Sequence, residues 1–320
     1  MTIAKLKSET KENLGDMGSD RLILYHAGCW DGFCAAWLMH LVYPEARFIP
    51  VNYGDLPPDG AAVADINHIY VLDFCFSIND MLAMASDTET LTVIDHHESA
   101  RPTIAMLRDE EGFPGIETRY DNEKSGARLT WEYICDTSHE CSSSISLPTF
   151  IAHLDRTRSP WLVDYTEDRD LWRHLLPDSK SINAALRSYP LTFLLWDKLA
   201  NRDPFYLIEE GRAIIRYKQK LIDQHTRFAK LARIGPFLVS AVNCTAGDLQ
   251  SEVCEALAIN DENKLGACWV DRGDGTQLWS LRSHGEFTVN DLAEIFGGGG
   301  HPKSAGFKCR VGIIPMEERA

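Results

Sequence analysis

Four short runs of apolar and β-branched residues, at 22–25 (LILY), 47–52 (RFIPVN), 69–72 (IYVL) and 91–94 (LTVI), recur through the first hundred residues. Helical or turn-forming stretches separate them: an apolar helical pattern runs to about residue 42, and Ile78 to Ala85 reads as a second helix. Short buried strands alternating with helices restrict a chain to a parallel sheet wound on both faces. The first strand passes through a Gly28-containing turn straight into its helix, as a βαβ unit opens.

Beyond this region, Ser125 is a candidate N-cap for a helix to about residue 135. Residues 138–146 read as a Ser-rich loop, 149–155 as helical, and Asp164 to Trp172 as an acidic loop or helix start. A long polar helix is expected from Pro204 to about Ala232. Strands at 237–242, 266–271 and 277–282 and helices at 250–259 and 289–296 follow. The expected class is therefore α/β: a doubly wound, mainly parallel sheet domain and a smaller C-terminal α/β domain, joined by a long helix. The boundaries expected are a polar N-terminal segment 1–20, a catalytic domain 21–190, a helical connector 191–233 and a substrate-binding domain 234–320. No internal repeat is evident.

At 320 residues, with 44% hydrophobic and 25% charged, the chain has the composition of a soluble globular protein with room for two cores. Residues 1–20 lack an apolar signal-peptide region, and no run approaches the roughly 18 apolar residues of a membrane span. Nine scattered cysteines without CxxC pairing fit a reduced, cytoplasmic location. A net charge of −15 argues against tight binding of long duplexes, but not against a small phosphate ligand.

The strand ends carry the chemistry. His26 and Asp31 follow the first strand, Asp73 the third, and Asp95, His96 and His97 the fourth, with Asp168 or Asp170 added from the acidic stretch. Taken singly, each has a bland reading as a turn, cap or solvated charge. Taken together, at the carboxyl ends of strands in an open sheet, they form a candidate metal site. Oxygen and imidazole donors without thiolate clusters suit Mn²⁺ or Mg²⁺ better than structural zinc. A second signal is Gly297-Gly298-Gly299-Gly300-His301-Pro302-Lys303, whose backbone N–H groups can cradle an anion, with Lys303, Arg282 and His284 adding charge.

Asp95-His96-His97 together with the glycine run, His301 and Ala305-Gly306 closely resembles the DHH phosphoesterases that carry a DHH-associated C-terminal domain, over roughly residues 22–312. That group includes nanoRNases, RecJ-like exonucleases and cyclic-dinucleotide phosphodiesterases. The resemblance implies a two-Mn²⁺ hydrolase (with Mg²⁺ as an alternative) whose active site lies between its domains. It also implies that His26 and Asp168 hold one metal, Asp31 and His96 the other, and that Asp73 bridges them. Asp95 would orient its neighbours and His97 would face the scissile phosphate, while Gly298, Gly299, Gly300, His301 and, more weakly, Arg282 would hold the substrate's phosphate. One departure stands out: the family's first motif has an aspartate where this chain has Cys29.

The function expected is hydrolysis of phosphodiester bonds in short oligonucleotides or dinucleotides, without long duplexes or membranes as partners. A pyrophosphatase-like phosphoanhydride hydrolase, or a non-catalytic nucleotide-binding protein with a degraded metal site, are the alternatives.

Overall fold

The computed structural model describes residues 20–59, 63, 65–110, 112–137 and 158–317. The expectations for the N-terminal segment up to residue 19, the Ser-rich loop and the helix at 149–155 lie outside these residues. The chain divides into two compact units between Gly211 and Arg212.

The first unit contains the strands β1 (Arg21–His26), β2 (Arg47–Val51), β3 (His68–Leu72), β4 (Thr90–Asp95) and β5 (Ile116–Tyr120). Its α-helices among the described residues are α1 (Trp30–Val42), α2 (Ile78–Ser86), α3 (Arg101–Arg108), α4 (Gly126–Thr137), α5 (Trp161–Asp170), α6 (Ser179–Leu186) and α7 (Phe193–Ala200). Helix α8 (Ile208–Thr226) starts in this unit and continues into the second. All neighbouring strands pair in parallel, in the order β2-β1-β3-β4-β5. The expected class of fold is the one observed.

Side chains on a strand alternate between faces, and here the two faces belong to two separate cores. Ile23, Tyr70, Leu72 and Ile94 pack under α1, α4, α5 and α7, whereas Leu22, Leu24, Ile69, Val71, Leu91 and Val93 pack under α2 and α3. Burial on both sides explains why the strands read as continuous apolar runs. Helix α1 is buried from Asp31 through Met39, because Trp196 of α7 and residues of α4 and α5 close over its outer side. Trp196 lies against Phe33 and Trp37, and the Trp37 indole N–H donates to Asp197 at 2.9 Å. Residues 191–211, expected in a connector, thus pack with the first unit.

The second unit has a mixed seven-stranded sheet in the order β10-β11-β9-β8-β7-β6-β12. These strands are β6 (Lys230–Ile234), β7 (Phe237–Asn243), β8 (Leu265–Asp271), β9 (Thr276–Ser283), β10 (Gly299–His301), β11 (Ser304–Arg310) and β12 (Met316–Glu317). Helix α9 (Gly247–Asn260) joins the parallel pair β7 and β8 and packs with Ile222 of α8 on one face; α10 (Val289–Glu294) covers the other. The polar helix expected to reach Ala232 stops at Thr226. Ala232 and Ile234 are buried on either side of exposed Arg233, the period of a half-buried strand.

No helix of the described residues is long and apolar enough to cross a membrane. Trp196→Ala removes the lid over α1 and is expected to lower stability by about 3–5 kcal/mol, measured by chemical denaturation. A loss below about 1 kcal/mol would mean that α7 is not part of this core.

Candidate metal centre

The strand order reverses beside β1, whose neighbours are β2 and β3, and in open α/β sheets this is where a crevice forms outside the carboxyl ends. Register determines what lines it. Tyr25 pairs with Leu72 and Leu72 with Ile94, so the next residues, His26, Asp73 and Asp95, end three adjacent strands at one level. Neighbouring strands lie about 4.8 Å apart, which brings their polar ends within reach of a shared ion.

Asp73 is at the centre. It is fully buried and adopts a left-handed backbone conformation (φ 54°), an arrangement costing on the order of 1–3 kcal/mol for a residue other than glycine. Its oxygens face the His96 Nε2 at 3.2 Å, the His26 Nδ1 at 3.4 Å and the His97 Nδ1 at 3.8 Å, yet neither makes a hydrogen bond of acceptable geometry. The His96 Nε2 also faces Asp31 at 3.7 Å and Asp170 at 3.5 Å. Asp95 is also buried. Its Oδ1 accepts from the backbone N–H of His96 (2.7 Å) and of His97 (3.1 Å), and meets the His97 Nδ1 at 2.7 Å.

Asp31 is held from another direction. Its carboxylate accepts from the N–H groups of Gly126 (2.6 Å) and Ala127 (3.0 Å), at the open N-terminus of α4. That helix end is a natural seat for an anion, and Ser125 caps it, its Oγ accepting from the Arg128 N–H at 3.2 Å. A Cβ at residue 126 would stand 2.8 Å from the Asp73 Cβ and 3.1 Å from the Asp31 Oδ2, so only glycine lets the helix end approach both carboxylates. The sequence marks Ser125-Gly126 as a helix start, but contains no sign that its guest is Asp31.

The acidic stretch becomes helix α5, and its carboxylates go to different places. Asp164 and Glu167 are neutralised by Arg128, at 2.6 and 3.0 Å. Asp168 accepts from the Leu175 N–H at 2.8 Å and from the Ser179 hydroxyl, organising the turn into α6. Residues two apart project roughly 200° apart around a helix, so only one of Asp168 and Asp170 can face the cluster. It is Asp170. The placement of Asp168 as a ligand is corrected on that ground: its oxygens are already engaged elsewhere.

The donor atoms form three overlapping groups, each within 4.8 Å: Asp73, Asp95, His96 and His97; His26, Cys29 and Asp73; and Asp31, His96 and Asp170. The structure therefore brings together His26, Asp31, Asp73, Asp95, His96 and His97 as expected, adds Cys29 and Asp170, and leaves Asp168 out.

Electrostatics show what such a set needs. Burial and the Asp73 carboxylate push the Asp31 carboxyl well above its ordinary value. Although burial opposes it, the His26 and His96 imidazoles hold Asp73 far below the usual carboxylate range. Against the same opposition, Asp73 and Asp31 push His96 up to about 10, and Asp95, then Asp73, push His97 up to about 9. Without another cation, the cluster balances its charge with protons on imidazole. Buried carboxylate oxygens without hydrogen bonds, converging on nitrogen donors, are a fitting seat for divalent cations, which would displace those protons.

The glycine run in the second unit is not a free loop. Gly297 takes φ 74° beyond the end of α10, and the Gly298 N–H donates to the Ala293 carbonyl at 2.9 Å. Gly299 to His301 form β10, an exposed edge strand paired with β11 through Gly299–Gly306 and His301–Ser304. Arg282 donates to Ser251 at 2.7 Å, and Lys303 to the Gly285 carbonyl. Of the expected anion-binding residues, Gly299, Gly300 and His301 are on the exposed edge. Gly298 is engaged in ending its helix.

The fold and cluster define a doubly wound α/β unit with a carboxylate and imidazole centre at its switch point. Several known proteins are similar to the chain. No protein-family model matches. An uncharacterized protein of Acanthamoeba polyphaga mimivirus is 22% identical over 344 residues, spanning 99% of this chain and 74% of that one. Among solved structures, RecJ of Thermus thermophilus in complex with Mn²⁺ is similar over 95% of this chain and 51% of that one, with 13% identity and a TM-score of 0.49. The pGpG-specific phosphodiesterase PggH of Vibrio cholerae is similar over 92% and 94%, with 10% identity and a TM-score of 0.43.

Two outcomes follow from the site. Asp168→Asn is expected to lower thermal stability with little change in cation affinity, and Asp170→Asn to do the reverse, read by melting and by calorimetric Mn²⁺ titration. The opposite pattern would restore Asp168 to the site. The second outcome concerns pH. His96 and His97 have folded values above the ordinary 6.5, so their contribution to stability is complete below about 6.5 and disappears as pH rises through about 9 and 10. The raised Asp31 acts in the same direction. The metal-free protein is thus expected to lose melting temperature between neutral pH and about 10, and Mn²⁺ to reduce that loss. An identical decline with and without Mn²⁺ would contradict it.

Proposed function

We propose that this chain is a divalent-cation-dependent phosphodiesterase of the DHH type, acting on small nucleotide substrates such as dinucleotides or short oligonucleotides. The observation that carries the reading is Asp73: a buried carboxylate in a strained backbone conformation, facing His26, His96 and His97 at 3.2–3.8 Å at the end of a parallel sheet. A structural role for such a residue would call for hydrogen bonds to its oxygens, and it has none. Asp31, His96 and Asp170 on one side and His26 and Cys29 on the other, with Asp73 between, are the groups that would hold two cations, with Mn²⁺ proposed on the oxygen and imidazole set. Bound there, the cations would supply an acidified water and charge neutralisation at the phosphoryl oxygens.

The chain's own residues do the rest. Asp95 engages the His97 Nδ1 at 2.7 Å and so fixes the orientation of the ring. When water attacks phosphorus and the P–O bond to the leaving group breaks, the His97 imidazole would give that oxygen a proton. Tyr53, with its ring edge-to-face against His26 at 5.4 Å and near His97 at 6.3 Å, forms an aromatic wall at the half-open side of the cluster. A phenol titrates at about 10, so at neutral pH it adds no negative charge beside a phosphate. In the second unit, Gly299, Gly300 and His301 are proposed to bind a phosphate of the substrate, from the exposed strand β10 at the end of its sheet. The acidic chain, at −15, favours small substrates over long strands.

The test is a hydrolysis panel in Mn²⁺ with dinucleotides, short RNA and DNA, cyclic mono- and dinucleotides, and pyrophosphate. Turnover of linear dinucleotides is expected to dominate, and Asp73→Ala to reduce it by at least roughly a thousandfold. Pyrophosphate as the preferred substrate would favour an anhydride hydrolase. Nucleotide binding without turnover of any member would leave a binding protein.

A further inference from the structure

Cys29 is the residue in the cluster that neither composition nor the usual hard-cation chemistry accounts for. The chain reaches it directly from β1: His26 ends the strand, Gly28 turns with φ 65°, and Cys29 is the N-cap of α1, its carbonyl accepting from the Phe33 N–H at 3.0 Å. Its thiol is free of any disulfide. The Sγ, a His26 nitrogen and an Asp73 oxygen lie within 4.8 Å of one another. Ligands around one ion with bonds of about 2.0–2.3 Å are spread no wider than this.

A second observation points to the same place. The Asp73 side chain is wholly buried, both its oxygens lack a hydrogen bond, and it faces His26. At the other end of the cluster, Asp31, His96 and Asp170 offer two carboxylates and an imidazole, with no sulfur. The two ends therefore differ in softness. One has nitrogen, sulfur and oxygen donors; the other has only nitrogen and oxygen.

We propose that His26, Cys29 and Asp73 form a mixed-ligand site that selects a thiophilic divalent cation of the Zn²⁺ or Co²⁺ class over Mn²⁺ or Mg²⁺, so that the unit binds two unlike cations. Thiolate ligands select soft or borderline metals, and carboxylate and imidazole sets accept Mn²⁺ and Mg²⁺. Coordination releases the thiol proton to solvent. This inference rests on the cation-dependent reading of the cluster and adds to it the identity of one cation.

The experiment loads the metal-free full chain with Co²⁺, follows the near-ultraviolet sulfur-to-cobalt charge-transfer band, and counts bound cations by equilibrium dialysis. The band is expected to saturate with a single equivalent and to vanish in Cys29→Ser, with at least about a tenfold loss of Zn²⁺ affinity at that site, no less than the loss of an outer partner produces. Cys29→Asp is expected to remove the band and shift that site's preference toward Mn²⁺, and circular dichroism confirms that both variants fold. Two bound cations with no band would overturn the proposal and leave the cation-dependent reading standing. A band that persists in Cys29→Ser, from Cys244, Cys254 or Cys268, would do the same. No cation bound by the parent chain would remove both.

Discussion

The first unit depends on placing several carboxylates close together in a buried crevice. Asp31, Asp73 and Asp95 are almost entirely removed from water, and Asp170 joins them at the exposed rim. Such a set is tolerable only with compensation, and two sources of it come from the chain: the imidazoles of His26, His96 and His97, and the N–H groups at the start of α4. Each source is built into an element that ends at this spot. The parallel register puts three strand ends side by side, and two helix starts, α1 and α4, meet them.

The supports are as specific as the donors. Asp95 holds the backbone of the histidine pair and fixes one ring; the α4 terminus holds Asp31; Arg128 takes Asp164 and Glu167 out of play. Without Arg128, two more carboxylates of α5 would add to the negative potential near Asp170. Gly126 is part of the same arrangement, because any side chain there would occupy the space between Asp31 and Asp73.

The second unit separates two roles within one run of glycines. Gly297 and Gly298 terminate α10, while Gly299 and Gly300 extend an edge strand that the hairpin through Pro302 and Lys303 returns into the sheet. A Cβ at residue 298 would stand 2.1 Å from the Gly306 carbonyl, so part of the run is required for packing whatever it binds.

The sequence by itself determined the class of fold and most of the cluster. Apolar runs buried on both faces specify a parallel sheet, and polar residues at the ends of such runs must emerge at its carboxyl edge, which made His26, Asp31, Asp73, Asp95, His96 and His97 legible as a set. Only the tertiary structure decided between Asp168 and Asp170, because the choice depends on how α5 is rotated about its axis, and Arg128, Ser179 and the backbone at Leu175 set that rotation through contacts distant in sequence. The helix end that holds Asp31 was hidden for the same reason: Gly126 is 95 residues away along the chain and meets it only where α1 and α4 pack together on one face of the sheet. The polar helix expected to about Ala232 gives way instead to the strand Lys230–Ile234, because so short a segment next to a long polar helix shows its pairing only when β7 and β12 are beside it.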